Sequence, residues 1–341
     1  MKLKRILAAV SACALAVGMM AGCGKSDDSS NGGSKTGENA KNYKIGVIQI
    51  MEHTSLNTIR DAVVNQLEKL GYKDGENCTI DLQQANNEAT MVTQILDKFK
   101  ADGDDIIVAI TTPCATAAAA YSSEIPVVFS AVTDPVSAEL VKDWDNSGDE
   151  NLTGTSDKLD ITKILDNALA ITPDIKTLGF LYNTGELNSV ECLKEVKAYC
   201  DEKGIEVVEG SATTATELSE AATTLFSKCD AVFSPNDNTV AGAMGTVAKI
   251  AIDAKKPMYV GADSMVQDGG FATVGIEYTD LGIETANMVD QILKGEKKAG
   301  DIPIKVFNED LSTYINKSTA EAIGITIPED IKNGEKTVFF D

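Results

Sequence analysis

The chain has 341 residues, with 52 acidic against 30 basic side chains, a formal net charge of −22 and a single histidine. A surface this acidic repels phosphate backbones and anionic headgroups, which excludes nucleic acid as a partner and charge-driven attachment to anionic lipid. At 43% hydrophobic and 24% charged residues the composition is that of a water-soluble globular protein, long enough for two lobes with separate cores.

The chain opens on a basic head, Lys2, Lys4 and Arg5, followed by an apolar run from Ile6 to Met20 and then Ala21, Gly22 and Cys23. That run is shorter than the roughly 20 apolar residues a bilayer-spanning helix needs, and small residues precede the cysteine, so residues 1–22 read as a cleavable export signal. Met20 to Cys23 resembles the bacterial lipobox, which implies that Cys23 becomes the lipid-modified mature N-terminus. Losing the three basic residues with the leader takes the net charge from −22 to −25. Residues 24–41 are almost wholly Gly, Ser, Asn, Asp, Lys and Thr, with nothing large enough to pack, so 23–42 reads as a lipidated cysteine and flexible tether.

From Tyr43 onward, short apolar runs alternate with amphipathic stretches. The spacing predicts strands over 44–50, 78–82, 105–110 and 125–130, with helices over 56–70, 89–101 and 115–122 between them. After Asn151 to Asp157 the rhythm restarts, with strands over 177–182, 205–209, 231–234 and 258–261 and helices over 162–170, 189–202, 217–226 and 239–252. The tail predicts a strand over 271–276, a helix over 281–293 and short strands over 302–307 and 312–315. Strand–helix–strand repeated twice is the pattern of an α/β protein with two similar Rossmann-like parallel-sheet lobes, and a tail too short for a third domain returns to both across a multi-crossing hinge. The expected division is 43–155 with about 278–308 for the N-terminal lobe, and 156–277 with about 309–341 for the C-terminal lobe.

Five cysteines follow Cys23. Cys192 and Cys200 share a predicted helix, where eight residues rise roughly 12 Å, too far for a disulfide. With no CxxC pair and one histidine, no metal site is expected, and the cysteines read as small buried apolar residues. No GxSxG or other nucleophile-with-base pattern appears, so no catalytic residue and no cofactor are assigned.

Ligands of open parallel sheets bind beyond the carboxyl ends of the strands. Polar residues crowd those ends: Glu52, His53, Thr54 and Ser55 after the first strand, Thr111 and Thr112 after the third, Ser130, Ala131, Thr133 and Asp134 after the fourth. The second unit adds Asn188 and Ser189, Asp237 and Asn238, and Asp263. Singly, each is more readily a helix cap or turn residue than a ligand contact; together they place hydroxyls and amides on one cleft.

The strings at Glu52 to Asn57 (EHTSLN), Ala109 to Pro113 (AITTP), Phe129 to Pro135 (FSAVTDP), Asn151 to Asp157 (NLTGTSD), Tyr182 to Ser189 (YNTGELNS) and Ser234 to Ala243 (SPNDNTVAGA) resemble the ABC-transporter substrate-binding lipoproteins of tryptophan and tyrosine uptake. The resemblance implies a two-lobed periplasmic-binding fold, an amino acid or similar small ligand held between the lobes, and delivery to an ABC permease; with the lipobox, the expected protein is a monomer held by its lipid at the outer face of the cell membrane, and its expected ligand an aromatic amino acid. An amino acid offers a carboxylate, which wants hydroxyl and N–H donors, and an ammonium, which wants a carboxylate. Thr112, Ser130 and Thr133 are the candidates for the first. Asp237 is the candidate for the second, supported by Asn188, Asn238 and Asp263, with helix capping as its alternative role. Tyr182, Tyr278 and Phe129 are candidate walls for the ligand side chain, and Asp157 is expected at the hinge. Other ligands (a nucleoside, a sugar, a branched-chain amino acid) and an exported hydrolase on the same scaffold remain open on these residues.

Overall fold

In a computed structural model, the described residues are 42–341 except Asn146. The leader, Cys23 and the tether therefore lie outside the described residues. The strands are β1 (Tyr43–Gln49), β2 (Cys78–Gln84), β3 (Ile106–Ile110), β4 (Val127–Ser130), β5 (Leu152–Ser156), β6 (Thr177–Tyr182), β7 (Glu206–Ser211), β8 (Ala231–Ser234), β9 (Met258–Val260), β10 (Ala272–Gly275), β11 (Lys305–Val306), β12 (Ser312–Asn316) and β13 (Thr337–Phe340). The α-helices are α1 (Thr54–Lys69), α2 (Ala89–Asp102), α3 (Thr112–Ala118), α4 (Ile161–Ile171), α5 (Leu187–Lys203), α6 (Ala215–Lys228), α7 (Asn238–Gly242), α8 (Met244–Ala254), α9 (Asp263–Gln267), α10 (Tyr278–Leu293), α11 (Lys317–Ile323) and α12 (Glu329–Lys332).

Two sheets organise these elements. The first runs β11-β5-β4-β3-β1-β2 and is parallel throughout; the second runs β13-β12-β10-β9-β8-β6-β7, parallel except where β10 meets β12. Central strands are covered on both faces, and β3 and β4 accordingly are apolar runs, buried along their whole length. The chain passes between the sheets after β5, after β10 and between β11 and β12, so three segments form the hinge.

Helix faces follow the apolar spacing. Leu56, Ile59, Val63 and Leu67 bury one stripe of α1, against which α10 packs. Contact is closest at Gly282, where a Cβ would stand 2.5 Å from the Ile59 carbonyl oxygen, so only glycine lets the two backbones approach this far. Helices α2 and α5 end at Gly103 and Gly204, both left-handed, as C-terminal stops require.

The predicted elements recur with shifted ends and a few differences of substance. The helix expected over 239–252 is two, broken at Ala243. The helix expected from Ala115 begins at Thr112, with Pro113 in its first turn, where proline's fixed φ suits a helix start. The strand expected over 302–307 keeps only two residues. Strand β5, with α9, α11, α12 and β13, was not in the predicted set. The five cysteines at 78, 114, 192, 200 and 229 are buried free thiols.

Candidate ligand-binding site

A tight pocket, about 20 Å³ of open space and so well below the range for ligand sites, lies where the carboxyl ends of the two sheets face each other. From the first sheet it takes Asp157 beyond β5, Ala131 and Thr133 beyond β4, Thr111 and Thr112 beyond β3, and His53, Ser55 and Leu56 beyond β1; from the second, Asn188 beyond β6, Asn236, Asp237, Asn238 and Ala241 beyond β8, Met265 beyond β9 and Tyr278 beyond β10. Two of these are held in left-handed backbone despite a side chain, Thr111 at φ 89° and Ala131 at φ 54°. Both sit just past the last paired residues of their strands, a placement where strain is held by the surrounding fold and accompanies function.

Asp157 is the electrostatic centre. Its Oδ1 accepts from the Thr133 hydroxyl at 2.9 Å, and its Oδ2 accepts from the Tyr278 hydroxyl at 2.9 Å and from Asn236 Nδ2. Every donor is neutral, and Asp157 is only 5% exposed, so burial raises its pKa while the three hydrogen bonds oppose the rise. A buried carboxylate hydrogen-bonded this way is prepared for a cation that the protein itself does not supply. Two bare acceptors belong to residues lining the same pocket. Asn236 spends its amide nitrogen on Asp157 and Thr133, and Asn188 spends its own on the Asn236 carbonyl, which leaves Oδ1 of both buried and unpartnered.

The β8–α7 turn is braced by two buried carboxylates. Asp237 caps α7 by accepting from the Val240 N–H at 3.0 Å, and its other oxygen accepts from the Asn183 N–H and the Ser189 hydroxyl, both at 2.7 Å. Glu186 accepts at Oε2 from the Asn238 N–H and Nδ2, and at Oε1 from the Thr239 N–H and hydroxyl. Burial, then the Asp237 charge, pushes Glu186 up to about 7; burial raises Asp237 as well. The lobes meet through His53 Nε2 and Asn238 Oδ1 at 3.3 Å and through the Ser55 and Ser264 hydroxyls at 2.6 Å.

The structure gathers His53, Thr112, Ala131, Thr133, Asn188, Asp237, Asn238 and Tyr278 of the predicted residues onto the pocket. It places others elsewhere. Glu52 is exposed and faces Arg60 at 3.7 Å. Ser130 lies beneath the pocket, bonded to Thr155 and Thr285, and cannot reach a carboxylate. Asp134 closes its own turn by accepting from the N–H groups of Val136 and Ser137. Ser189 supports Asp237, and buried Asp263 accepts from the Ser264 N–H. Roles shift too. The Thr133 hydroxyl donates to Asp157 and accepts from Asn236, so it is not free for a ligand carboxylate. Asp237, expected to meet an ammonium, has both oxygens filled by its cap and brace. Tyr182 donates to Glu209 and Phe129 is core, so neither walls the pocket. Sequence reasoning named Ser55, Thr111 and Asn236 only within its strand-end strings, missed Leu56, Ala241 and Met265, and set Asp157 at the hinge without the pocket, because the strand that Asp157 follows, β5, is not apparent in the sequence.

A family model described as ABC transporter substrate binding protein matches residues 44–338. A tyrosine-binding protein of Clostridioides difficile (strain R20291) is 38% identical over 324 residues, 94% of this chain and 93% of that protein. Among solved structures, an ABC domain from Streptococcus pneumonia in complex with L-Trp is 37% identical with a TM-score of 0.82, covering 87% of this chain and all of that one. A ligand-free, open substrate-binding protein with adhesive properties from Clostridium difficile is also 37% identical, but its TM-score is 0.66, over 88% of this chain and 99% of that one. A conserved domain protein from Vibrio cholerae is 34% identical with a TM-score of 0.84, covering 88% and 100%. The family is one of substrate-binding proteins that serve ABC transporters. Two parallel-sheet lobes around a shared polar pocket, and a family match over almost the whole described chain, agree with the motif resemblance: the chain belongs to the ABC transporter substrate-binding protein family.

Proposed function

We propose that this chain captures an aromatic amino acid between its lobes and delivers it to an ABC permease, as a monomer anchored to the outer face of the cell membrane through lipid on Cys23. The observation that carries the reading is Asp157, a buried carboxylate with neutral donors only, in a pocket also lined by Asn188 and Asn236, whose Oδ1 atoms are bare. Three acceptors on one pocket's lining match the three N–H groups of an ammonium. The hydroxyls of Thr111 and Thr112, further along the pocket, suit the ligand carboxylate, and Leu56, Ala241 and Met265 suit an apolar ring. The tyrosine-binding and L-Trp-bound relatives support the same ligand class.

The lobes are 43–155 with about 278–308, and 156–277 with about 309–341. The higher TM-score to the L-Trp complex than to the open, ligand-free relative, at equal identity, supports a closed arrangement here. Ligand contacts from both lobes then favour closure over opening. Calorimetry of the full chain against L-tyrosine, L-tryptophan, L-leucine, a nucleoside and a hexose tests the reading. Binding is expected for the two aromatic amino acids. A nucleoside or sugar that binds while both of them are silent would overturn it.

A further inference from the structure

We infer that His53 is a specificity residue which selects ligand rings carrying a hydrogen-bond donor, a phenol O–H or an indole N–H, over the plain phenyl ring. The inference rests on the aromatic amino-acid reading above and adds what the far end of the pocket recognises.

The argument is a relay of fixed donors and acceptors. The backbone N–H of Asn238 cannot reverse, so Glu186 Oε2 is an acceptor there, and its second donor is Asn238 Nδ2 at 2.6 Å. A proton on Glu186 would sit on Oε1, where the Thr239 hydroxyl can turn from donor to acceptor, so Oε2 keeps its role in either charge state. The Asn238 amide is thereby oriented with Oδ1 toward His53, and an amide oxygen only accepts. His53 Nε2 must then carry the hydrogen. In a neutral imidazole the other nitrogen is a bare acceptor. Burial holds the ring neutral, its pKa lowered to about 4 against a smaller opposing effect of the Asn238 contact.

His53 Nδ1 is that bare acceptor. It is buried without a partner, and although His53 precedes α1 as its N-cap, its side chain makes no cap hydrogen bond. His53 lines the pocket, so the missing donor must come from what fills it. An acceptor repels a ligand carboxylate, and the ammonium is claimed by Asp157. Asp157 follows β5 and His53 follows β1, strands whose axes stand three spacings apart across β4 and β3, roughly 14 Å. A tyrosine laid along that line, with one hydrogen bond at each end, spans such a gap. Sites built to meet a ligand donor reject the analogue that lacks it, because the protein's buried acceptor is left unpaired.

The test is calorimetry with L-tyrosine, L-tryptophan, L-phenylalanine and para-fluoro-L-phenylalanine on the full chain, His53→Leu and His53→Asn, each checked by thermal melt. The unaltered protein should prefer tyrosine and tryptophan to both donor-free rings by about 10- to 100-fold. His53→Leu should bring tyrosine and phenylalanine within a few-fold of each other, and His53→Asn, which keeps an oxygen acceptor near the Nδ1 position, should restore part of the preference. Phenylalanine bound as tightly as tyrosine by the unaltered protein would overturn the inference, as would His53→Leu weakening all four ligands equally. If none of the four binds, the aromatic amino-acid reading falls first; if all bind without discrimination, that reading stands and only the role of His53 falls.

Discussion

Replacing Asp157 by asparagine removes one charge from the centre of the pocket and almost no volume. If Asp157 holds the ligand ammonium as proposed, the pair sits in a closed cleft with water excluded, since Asp157 itself is 5% exposed. Breaking a buried ion pair from one side leaves the other charge uncompensated, at a cost of about 3 to 5 kcal/mol. That is roughly two to three and a half orders of magnitude in Kd for tyrosine. Hydroxyphenylpropionate, which is tyrosine without its amine, brings no cation; in the unaltered protein it must bury Asp157 unpaired, so the Asn variant should bind it no worse. The asparagine loses one oxygen to an amide nitrogen that faces the donors of Asn236 or Thr133, so the empty variant should melt lower by the equivalent of about 1 kcal/mol. Calorimetry with both ligands on both proteins isolates the charge, because any general damage to the pocket weakens the two ligands alike. Equal losses for tyrosine and its deaminated analogue would refute Asp157 as the ammonium partner.

Asp237→Asn, by contrast, should lower the melting temperature through the lost brace to Asn183 and Ser189, by about 1 to 3 kcal/mol, while leaving the ratio of those two affinities unchanged in the same calorimetry. Gly282→Val forces a side chain to 2.5 Å from the Ile59 carbonyl, and chemical denaturation should register a loss of about 1 to 3 kcal/mol or more. Stability should also follow pH. His53, with its folded pKa lowered to about 4, contributes fully above its unfolded value near 6.5 and loses that contribution as pH falls through 4, whereas Glu186, raised to about 7, contributes fully below about 4.5 and loses it as pH rises through 7. Melting temperatures across pH should therefore fall on both sides of a maximum between about 4.5 and 6.5, and His53→Leu should flatten the acid limb; an unchanged acid limb would count against a buried neutral histidine. Finally, Cys23→Ala should move the protein from the membrane to the soluble fraction on cell fractionation, since the acyl methylenes it loses each add about 0.8 kcal/mol of membrane affinity.

Local pattern was enough for much of this protein. Apolar runs such as Ile106 to Ile110 and Phe129 with its neighbours are short, uniformly apolar and bounded by polar turns, so they announce buried parallel strands, and the stripe of α1 announces its helix. Because parallel strands present their carboxyl ends on one side, His53, Thr112, Thr133 and Asp237 could be placed near a common cleft from chain order alone. Other features depend on what lies across space. Strand β5 reads as LTGTS, polar and small, and becomes buried only because β4 and β11 flank it and α10 covers it. Asp157 follows that unrecognised strand, so its place in the pocket stayed hidden. Asp237 and Asp157 are indistinguishable in sequence, each an aspartate beyond a strand; the first finds its donors within its own lobe, in α7, the β6–α5 turn and α5, whereas the second draws donors from both lobes, and none of them is a cation. The protonated nitrogen of His53 is likewise decided by Glu186, 133 positions away in the chain and acting through Asn238. Sequence sets which segments become strands and helices because that choice is governed by neighbours three or four residues apart, while hydrogen-bond direction and charge compensation are settled only when the lobes bring distant groups within 3 Å or so.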